Sequence, residues 1–350
     1  MTLQNPLQAG KYCSLISVVK SCIIKIQKEK EVKIKRFFKK GDKKMKNFLI
    51  KGIAALMIIA SLSALPIYAT DDISNENKIE NELSEISRAQ KSKFIYDFPE
   101  NAASVSIELD GRQILDGEAA IINSVTYVPL RSFSELAGAN SIEWDAKNRV
   151  ATVKKSNTTV KISDRLQYVE ASGRYFYSSE PIKNISDRLF VPIRLLCSAL
   201  CVDVKWNAAS RTVELKSTNK TLTSGSSFYS SDDVYWLSRI IHAESGGEPL
   251  LGKIAVGNVV LNRKESKMYP NTIYGVIFDR KNGTQFSPVS MGTIYNTPSA
   301  ESVVAAKICL EGYSVDSNIL FFMNPKIATN NWIAQNRPFA FKIGNHYFFY

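Results

Sequence analysis

The sequence predicts an α+β protein, in which a mainly helical C-terminal domain with a small sheet follows a duplicated, β-rich α+β domain. Two observations lead to this prediction. Apolar residues recur at helical spacing through residues 232–263. Upstream, the segment 127–131 (Tyr-Val-Pro-Leu-Arg) returns at 190–194 as Phe-Val-Pro-Ile-Arg, and each copy runs into a short helical pattern. The 350 residues are enough for both domains and a targeting segment.

Residues 1–69 are predicted to be an N-terminal extension and signal peptide, with translation beginning at Met45. Lys46 supplies positive charge, residues 52–65 are almost wholly apolar, and Ala69 places a small residue at the cleavage site. We therefore expect an exported chain that begins near residue 70 and has no integral membrane span. An uncleaved N-terminal anchor is the alternative.

Most of the basic character of the chain lies in this leader. Residues 1–69 contain 14 Lys and Arg against 3 Asp and Glu, which accounts for 11 of the 12 net positive charges. The rest of the chain is nearly neutral, so the main argument for a nucleic-acid partner is lost. Residues 70–100, which are rich in Asp, Glu, Asn, Ser and Lys, are predicted to be a solvated linker.

The duplicated domain is assigned to residues 101–217. Its first strand alternates apolar and polar residues before the Asp110-Gly111 turn. Trp144 and Trp206 occupy matched positions in the two copies. Sugar stacking is one interpretation of these tryptophans, but burial in the core is favoured because aromatic side chains contribute so much to core packing.

The Val-Pro-Leu-Arg and Trp-Asp motifs of this domain resemble the copper amine oxidase N-terminal-like, or stalk, domain of bacterial envelope proteins. The resemblance implies a cell-envelope partner for the domain but no copper. The two histidines of the chain, His242 and His346, both lie outside it. Because the chain contains no His and Cys cluster with ligand spacing, neither a metal nor another cofactor is predicted.

Residues 218–231 are Ser- and Thr-rich and are predicted to be a flexible linker to the C-terminal domain, residues 232–350. Asp232 and Asp233 suit the N-terminus of a first helix, 232–244, because carboxylates cap free amides there. The remaining predicted elements are helices at 249–263 and Ser299 to Glu311, with strands at Ile319 to Met323 and Tyr347 to Tyr350.

Glu244 is the candidate catalytic residue. Helical spacing places it on the face that carries three apolar residues, Val234, Leu237 and Ile241. Partial desolvation and the negative end of the helix dipole both disfavour its ionised form. A carboxyl group that stays protonated near neutral pH is what a general acid needs to cleave a glycosidic bond. A structural carboxylate at a helix end is the alternative.

The sequence around Glu244 resembles the SleB-type cell wall hydrolases, the spore-cortex-lytic enzymes. The match opens with His-Ala-Glu-Ser-Gly-Gly-Glu-Pro at 242–249 and Gly252 to Arg263. It continues at 269–273, 275–278, 285–287, 324–325, 332–333 and 343–346. The resemblance implies a lysozyme-like fold, action on peptidoglycan in the spore cortex or cell wall, and Glu244 as the catalytic acid.

Further residues of this domain are candidates for substrate binding. They are Gln285, Phe286 and Ser287 on a Gly-containing loop, Asn324 after a strand, the aromatic residues Trp332 and Tyr347, and the near-terminal His346. Trp332 suits the core equally well. His346 is expected to orient Glu244 or a substrate hydroxyl.

Glu248 is the nearest second carboxylate, and its Gly-Glu-Pro setting favours a structural role at the start of the second helix. With one essential acid, the resemblance favours a lytic transglycosylase that cleaves between N-acetylmuramic acid and N-acetylglucosamine. A muramidase that uses two carboxylates and water is the second hypothesis. A non-catalytic wall-binding protein is the third.

Overall fold

A computed structural model of the chain describes residues 94–281 and 283–350. These residues have the mixed α and β composition that the sequence predicts. The predicted signal peptide, the start at Met45 and most of the linker 70–100 lie outside the described residues. Within the described part of the chain, no helix is long and apolar enough to cross a membrane.

The described residues up to 217, the repeat domain, are dominated by strands. Its first seven strands are β1 Ala103–Ser104, β2 Ser106–Leu109, β3 Arg112–Ile114, β4 Ala120–Ile122, β5 Val125–Pro129, β6 Ser141–Asp145 and β7 Val150–Lys155. The next seven are β8 Thr158–Ile162, β9 Tyr168–Ala171, β10 Arg174–Tyr177, β11 Lys183–Ile185, β12 Arg188–Pro192, β13 Val202–Asn207 and β14 Thr212–Ser217. Two short helices lie among them, α1 Leu130–Leu136 and α2 Ile193–Leu200.

These strands form three sheets around a shared apolar core. Their orders are β1-β4-β5-β12-β11, β10-β9-β8-β7-β6 and β13-β14-β2-β3. Neighbouring strands are antiparallel except for β14 and β2, which are parallel. The core is filled by side chains from all three sheets and from α2, such as Ile107, Val153, Val191 and Leu196.

The two copies of the Val-Pro motif lie side by side in one sheet. β5 and β12 pair antiparallel, with Val128 opposite Val191 and Tyr127 opposite Pro192. Each proline directly precedes the first turn of a helix, α1 or α2, where its fixed φ is accommodated. The two copies therefore have the same local structure and face each other across an approximate twofold axis, which supports the internal repeat read from the sequence.

Both tryptophans of the repeat domain are partly exposed, so the expectation that they anchor the core is wrong. Trp144 is 47% exposed and Trp206 is 39% exposed. Their strands, β6 and β13, each lie at the edge of a sheet. Alternation along a strand sends every second side chain to the solvent face. Matching positions in a repeat identify equivalent environments, but they do not show that these environments are buried.

The segment between the two domains makes specific contacts that its composition did not predict. It contains a helical turn, α3 Gly225–Phe228. The Gly225 amide donates to the Ser172 carbonyl over 2.9 Å, and a Cβ added to Gly225 would lie 2.3 Å from the Gly173 carbonyl oxygen. Only glycine fits this close approach of two backbones.

The C-terminal domain is mainly helical, as predicted. Its helices are α4 Ser231–Ser245, α5 Leu250–Glu265, α6 Ile273–Phe278, α7 Ser287–Met291, α8 Ala300–Leu310 and α9 Trp332–Asn336, with a 3₁₀ turn at Thr293–Tyr295. A small antiparallel sheet has the order β15-β17-β16, with β15 Phe321–Met323, β16 Phe339–Ile343 and β17 His346–Phe349. The predicted helices and strands all occur within a few residues of their expected limits.

Helices α4, α5 and α8 pack around one core. A Cβ at Gly257 of α5 would lie 2.7 Å from the Cys309 Sγ of α8 and 2.9 Å from the Ile241 Cδ1 of α4. The three helices therefore meet where α5 has no side chain. The Asn258 amide extends the packing by donating to the Tyr313 carbonyl over 2.9 Å.

A buried ion pair joins the repeat domain to the helical domain. The Arg174 guanidinium of β10 binds both carboxylate oxygens of Glu311, over 2.8 and 2.6 Å, at the end of α8. The Tyr229 hydroxyl donates to the same carboxylate over 2.5 Å. Because bidentate, charge-assisted bonds have defined directions, they fix the register of β10 against α8.

Candidate active site

Helix α4 places Glu244 in its last turn. The Ser230 hydroxyl caps the helix by accepting a bond from the Asp233 amide, and Asp232 and Asp233 lie in the first turn, as the sequence predicts. Leu237 and Ile241 of the same face are fully buried. The apolar face of α4 therefore holds Glu244 at the edge of the core.

Glu244 has the perturbed acidity that a general acid requires. Burial raises its pKa to about 7, and the positive charge of Arg263 opposes the rise. A carboxyl group with this pKa is substantially protonated at neutral pH and can also release the proton. The desolvation expected from the position of Glu244 on the helix is thus present in the structure.

Arg263, at the C-terminal end of α5, is the charged partner that the sequence analysis did not identify. Its side chain is buried, and its Nε donates to the Leu320 carbonyl over 2.8 Å. Among the described residues, none accepts a hydrogen bond from its Nη1. Its guanidinium lies 5.1–5.4 Å from three ring centroids, those of Tyr269, Phe286 and Phe321. Arg263 follows the apolar run of α5, and its helical spacing of four and three residues from the buried Val259 and Val260 was the signal for its burial.

Asp279 is a second acidic residue near Arg263, and sequence reasoning also missed it. It follows α6 directly and is partly buried. Burial lowers the pKa of Arg263, while the charges of Tyr269, Asp279 and Glu244 raise it. The Asp279 carboxylate also accepts a bond from the Lys281 amide over 2.9 Å. The charges of two carboxyl groups, Glu244 and Asp279, thus both act on this buried cation.

Glu248 has a structural setting, although its partner is not the one expected. Its carboxylate accepts bonds from the Asn345 backbone amide over 2.9 Å and from the Asn345 side-chain amide over 3.0 Å. These groups belong to the turn between β16 and β17, not to the start of α5. Burial raises the pKa of Glu248, but the Asn345 bonds and the nearby His346 and Lys253 more than offset it and lower the pKa.

His346 lies beside Glu248. Its Nδ1 is 3.9 Å from the Glu248 Oε1, and its ring meets the Phe322 ring edge-on at 5.5 Å. Burial lowers its pKa, and the charge of Glu248 opposes this. The contacts of His346 are thus with Glu248, and its expected role in orienting Glu244 finds no support in the described contacts.

The loop residues 285–287 have three different environments. Gln285 is partly exposed, and its side chain donates to the Gly283 carbonyl over 3.3 Å. Phe286 is only 2% exposed and packs in the core beside Arg263, so the expectation that it contacts substrate is not met. Ser287 is exposed at the start of α7. Gln285 and Ser287 stay available to a ligand.

The other candidate substrate contacts lie on the small sheet and the segment before it. Asn324 organises the turn after β15, where its Oδ1 accepts from the Lys326 amide over 3.1 Å. Trp332 is 48% exposed at the start of α9, which excludes it from the core. Tyr347 is half-buried beside Phe339, with ring centroids 5.6 Å apart. Phe349, another aromatic residue of this sheet, is buried.

The described residues contain no group of three or more His, Cys, Asp or Glu side chains arranged to hold a metal ion. The candidate site consists of Glu244, Arg263 and Asp279, with the aromatic residues around the guanidinium. A separate polar cluster, formed by Glu248, Asn345 and His346, connects the start of α5 to the turn between β16 and β17.

A substitution at Glu248 tests its structural role. Glu248→Gln is expected to lower the free energy of unfolding by about 1–2 kcal/mol, because it removes the charge from two hydrogen bonds. Cleavage at low temperature should change by less than about threefold, since Glu248 supplies no proton. Urea unfolding and a peptidoglycan digestion assay measure the two effects. A loss of cleavage of about 100-fold in a fully stable variant would identify Glu248 as a catalytic carboxylate instead.

Two segments of the chain match known protein families. Residues 247–349 match the family described as Cell Wall Hydrolase, and residues 108–215 match the family described as Copper amine oxidase N-terminal domain. These two matches agree with the two resemblances read from the sequence motifs. The first match begins three residues after Glu244, so it does not test that residue.

Curated relatives match part of the chain. A spore cortex-lytic enzyme of Bacillus cereus is 37% identical over 144 residues, which cover 41% of this chain and 54% of that protein. A spore cortex-lytic enzyme of Bacillus subtilis is 34% identical over 120 residues, covering 34% of this chain and 38% of that protein. The chain thus spans about half the length, or less, of the curated relatives that it matches.

A solved structure also matches part of the chain. It is described as the catalytic domain of the germination-specific lytic transglycosylase SleB from Bacillus anthracis. The two sequences are 38% identical, the match covers 37% of this chain and 100% of that chain, and the TM-score is 0.32.

Proposed function

We infer the activity of this protein from its C-terminal cell wall hydrolase domain, residues 247–349, and from the acid that immediately precedes it. We propose that it is an exported enzyme that cleaves the bond between N-acetylmuramic acid and N-acetylglucosamine in peptidoglycan of the spore cortex or cell wall. The observation that carries the proposal is the partly buried Glu244, whose pKa of about 7 suits proton donation. We further propose a lysozyme-like arrangement, in which Glu244 faces the substrate cleft.

The reaction that we propose needs one carboxyl group. Glu244 donates its proton to the glycosidic oxygen, and the bond between that oxygen and the anomeric carbon breaks. The muramoyl primary hydroxyl then attacks the anomeric carbon and gives its proton to the Glu244 carboxylate. The products are a free hydroxyl on the leaving sugar and a 1,6-anhydro ring. No water is consumed, and Glu244 regains its proton.

Positioning contributes much of the rate in this scheme. The nucleophile belongs to the same sugar as the reacting carbon, so binding the sugar in a fixed conformation replaces a collision with water. Partly exposed polar and aromatic residues are proposed to hold the strand, namely Gln285, Ser287, Asn324, Trp332 and Tyr347. Phe286 and His346 contribute only by supporting the site from the core.

Arg263 is proposed as a positioning residue for Glu244. Glu244 becomes negatively charged when it gives up its proton, and the nearby buried guanidinium stabilises that charge. Its three aromatic neighbours and the Leu320 carbonyl fix the guanidinium in place. Because this cation is already oriented in the folded protein, its stabilising effect requires no rearrangement during the reaction.

Hydrolysis with two carboxylates is the second candidate. The specific observation that favours it is Asp279, which is partly buried and shares the Arg263 cation with Glu244. In that scheme Asp279 would activate a water molecule or attack the anomeric carbon. Asp279→Asn separates the two mechanisms, because transglycosylation requires no second carboxylate and would continue.

Incubation of the purified chain with isolated, insoluble peptidoglycan tests the function itself. The expected result is a fall in turbidity and the release of soluble muropeptides, in spore cortex or vegetative wall preparations. We also propose that residues 101–217 and 232–350 are separate domains and that the chain is exported. Intact peptidoglycan after incubation with a folded chain would contradict the proposed function.

The activity should depend on pH through Glu244. Because Glu244 has to be protonated in the free enzyme, kcat/KM is expected to be constant at acidic pH and to fall above about pH 7, near its pKa. The decline should approach about tenfold per pH unit. A pH series of initial rates on soluble glycan fragments measures it. Activity that rises steadily from pH 7 to pH 9 would exclude Glu244 as the acid.

A further inference from the structure

Two surface grooves on the repeat domain have largely equivalent linings, although Tyr313 of the helical domain also lines the second of them. Groove A contains Trp144 and has a volume of about 440 Å³, and groove B contains Trp206 and has a volume of about 430 Å³. Twelve of the thirteen residues that line groove A have a counterpart in groove B at an offset of 62 or 63 positions. The same offset relates the sequence motifs. The grooves therefore arise from the repeat and not from the shape of one loop.

Each groove is built from both copies of the repeat. One copy supplies the first turn of α1 or α2 and the tryptophan of β6 or β13. The other copy supplies the turn of a hairpin, 184–189 for groove A and 121–126 for groove B. Both hairpins turn on two consecutive residues with positive φ, Ser186 with Asp187 and Asn123 with Ser124. This geometry is that of a tight two-residue turn, so each groove has one wall of defined shape.

The grooves combine an exposed indole with positive charge. Both tryptophans are roughly half exposed. A polar residue would suit such an exposed position, so a large apolar side chain there in both copies indicates an interaction site. Groove B is lined by Arg194 and Lys205, and none of its described lining residues is acidic. Groove A is lined by three arginines, Arg131, Arg149 and Arg188, against the two acidic residues Glu143 and Asp187. Arg149 is also ion-paired with Asp164 and Arg131 with Glu135, so a net positive charge is clear only in groove B, while both grooves have an arginine at the start of a helix.

We propose that grooves A and B are two equivalent binding subsites for peptidoglycan, whose glycan strands carry peptide stems with free carboxylates. The apolar face of a pyranose ring packs on the indole, and the arginine at the helix start binds a carboxylate of a peptide stem. The choice of this glycan rests on the proposed function of the C-terminal domain, which acts on the same polymer. Aromatic and basic residues also suit nucleic acid, but the chain beyond residue 69 is nearly neutral.

Sedimentation with insoluble peptidoglycan tests the proposal in the full chain carrying Glu244→Gln, which is expected to bind without cutting. Hydrofluoric acid first strips other wall polymers from the peptidoglycan. Trp144→Ala and Trp206→Ala are each expected to weaken binding about tenfold, and the double variant about 100-fold, because two attachments to one polymer act together. Leu166→Ala is the matched control, since Leu166 is 39% exposed on the same domain but lines neither groove.

A second variant distinguishes the loss of a binding contact from misfolding of the domain. Arg131→Gln combined with Arg194→Gln changes two exposed side chains and should also weaken binding about tenfold. Unchanged binding by a folded double tryptophan variant would overturn the proposal. So would loss of wild-type binding after stripping, or tighter binding to a single-stranded oligonucleotide than to peptidoglycan.

Cleavage assays separate this proposal from the proposed function. The tryptophan substitutions, made without Glu244→Gln, are expected to leave cleavage of short soluble glycan fragments unchanged, because neither groove contains the acid. If the chain binds peptidoglycan through its tryptophans but cleaves nothing, the proposed enzymatic function is refuted and the proposed subsites stand. If the chain cleaves normally and the tryptophan substitutions leave its binding unchanged, the proposed subsites are refuted and the enzymatic function stands.

Discussion

Replacing Glu244 with Gln is expected to lower the rate of peptidoglycan cleavage by at least about 100-fold, the effect typical of losing a general acid. Gln has the same shape and fits the same partly buried position, but it cannot donate a proton or recover one. The free energy of unfolding should not fall. A neutral amide avoids the desolvation cost of a buried carboxylate, and that cost is also what raises the pKa of Glu244. Initial rates of muropeptide release measure the effect.

Two variants serve as controls for this result. Asp279→Asn makes the same change at the other acid near Arg263 and should keep most of the activity. Glu248→Gln makes it at the acid bonded to Asn345 and should act on stability. Undiminished cleavage by Glu244→Gln would refute the site assignment, whereas a 100-fold loss in Asp279→Asn would support the hydrolase with two carboxylates.

Replacing Arg263 with Met is expected to produce the second largest effect, a loss of cleavage of about 10- to 100-fold. The cation lowers the pKa of Glu244 and stabilises its carboxylate after proton transfer. Without it, burial acts unopposed and the pKa of Glu244 rises further. The decline of kcat/KM with pH should therefore move to higher pH, a shift that simple loss of packing would not cause.

Arg263→Lys is the matched control, because it keeps the charge and loses the planar fork. In this variant, the decline of kcat/KM should return toward the pH at which it occurs in the wild-type chain, even if the absolute rate stays low. Circular dichroism establishes that both variants fold, since Arg263 also bonds the Leu320 carbonyl. A wild-type pH profile in a folded Arg263→Met variant would contradict the proposed coupling to Glu244.

The position of Glu244 could be predicted because local rules determine it. Ser230 and the two aspartates begin α4, and helical spacing aligns Glu244 with Leu237 and Ile241. Burial on that face then implies a raised pKa, and the structure agrees. The helices and the repeat were predictable for the same reason, since caps, periodicity and internal similarity are all visible in the sequence.

The partners of the charged residues could not be predicted, because they come from distant parts of the chain. Glu248 bonds Asn345, which is 97 positions away. Helical spacing from Val259 and Val260 indicates that Arg263 is buried, but only the fold brings the charge of Asp279, which follows α6, to act on the same cation. Trp144 and Trp206 were assigned to the core because repeats preserve environments, yet edge strands kept both of them partly exposed.

The chemical identity of the cleaved ends tests the central claim most directly. Muropeptides released from peptidoglycan by the wild-type chain are separated and weighed by mass spectrometry. The proposed attack by the muramoyl hydroxyl predicts 1,6-anhydro ends, which are lighter than hydrolysed reducing ends by one water. Reducing ends alone, from a substrate that the enzyme cleaves well, would contradict transglycosylation by Glu244.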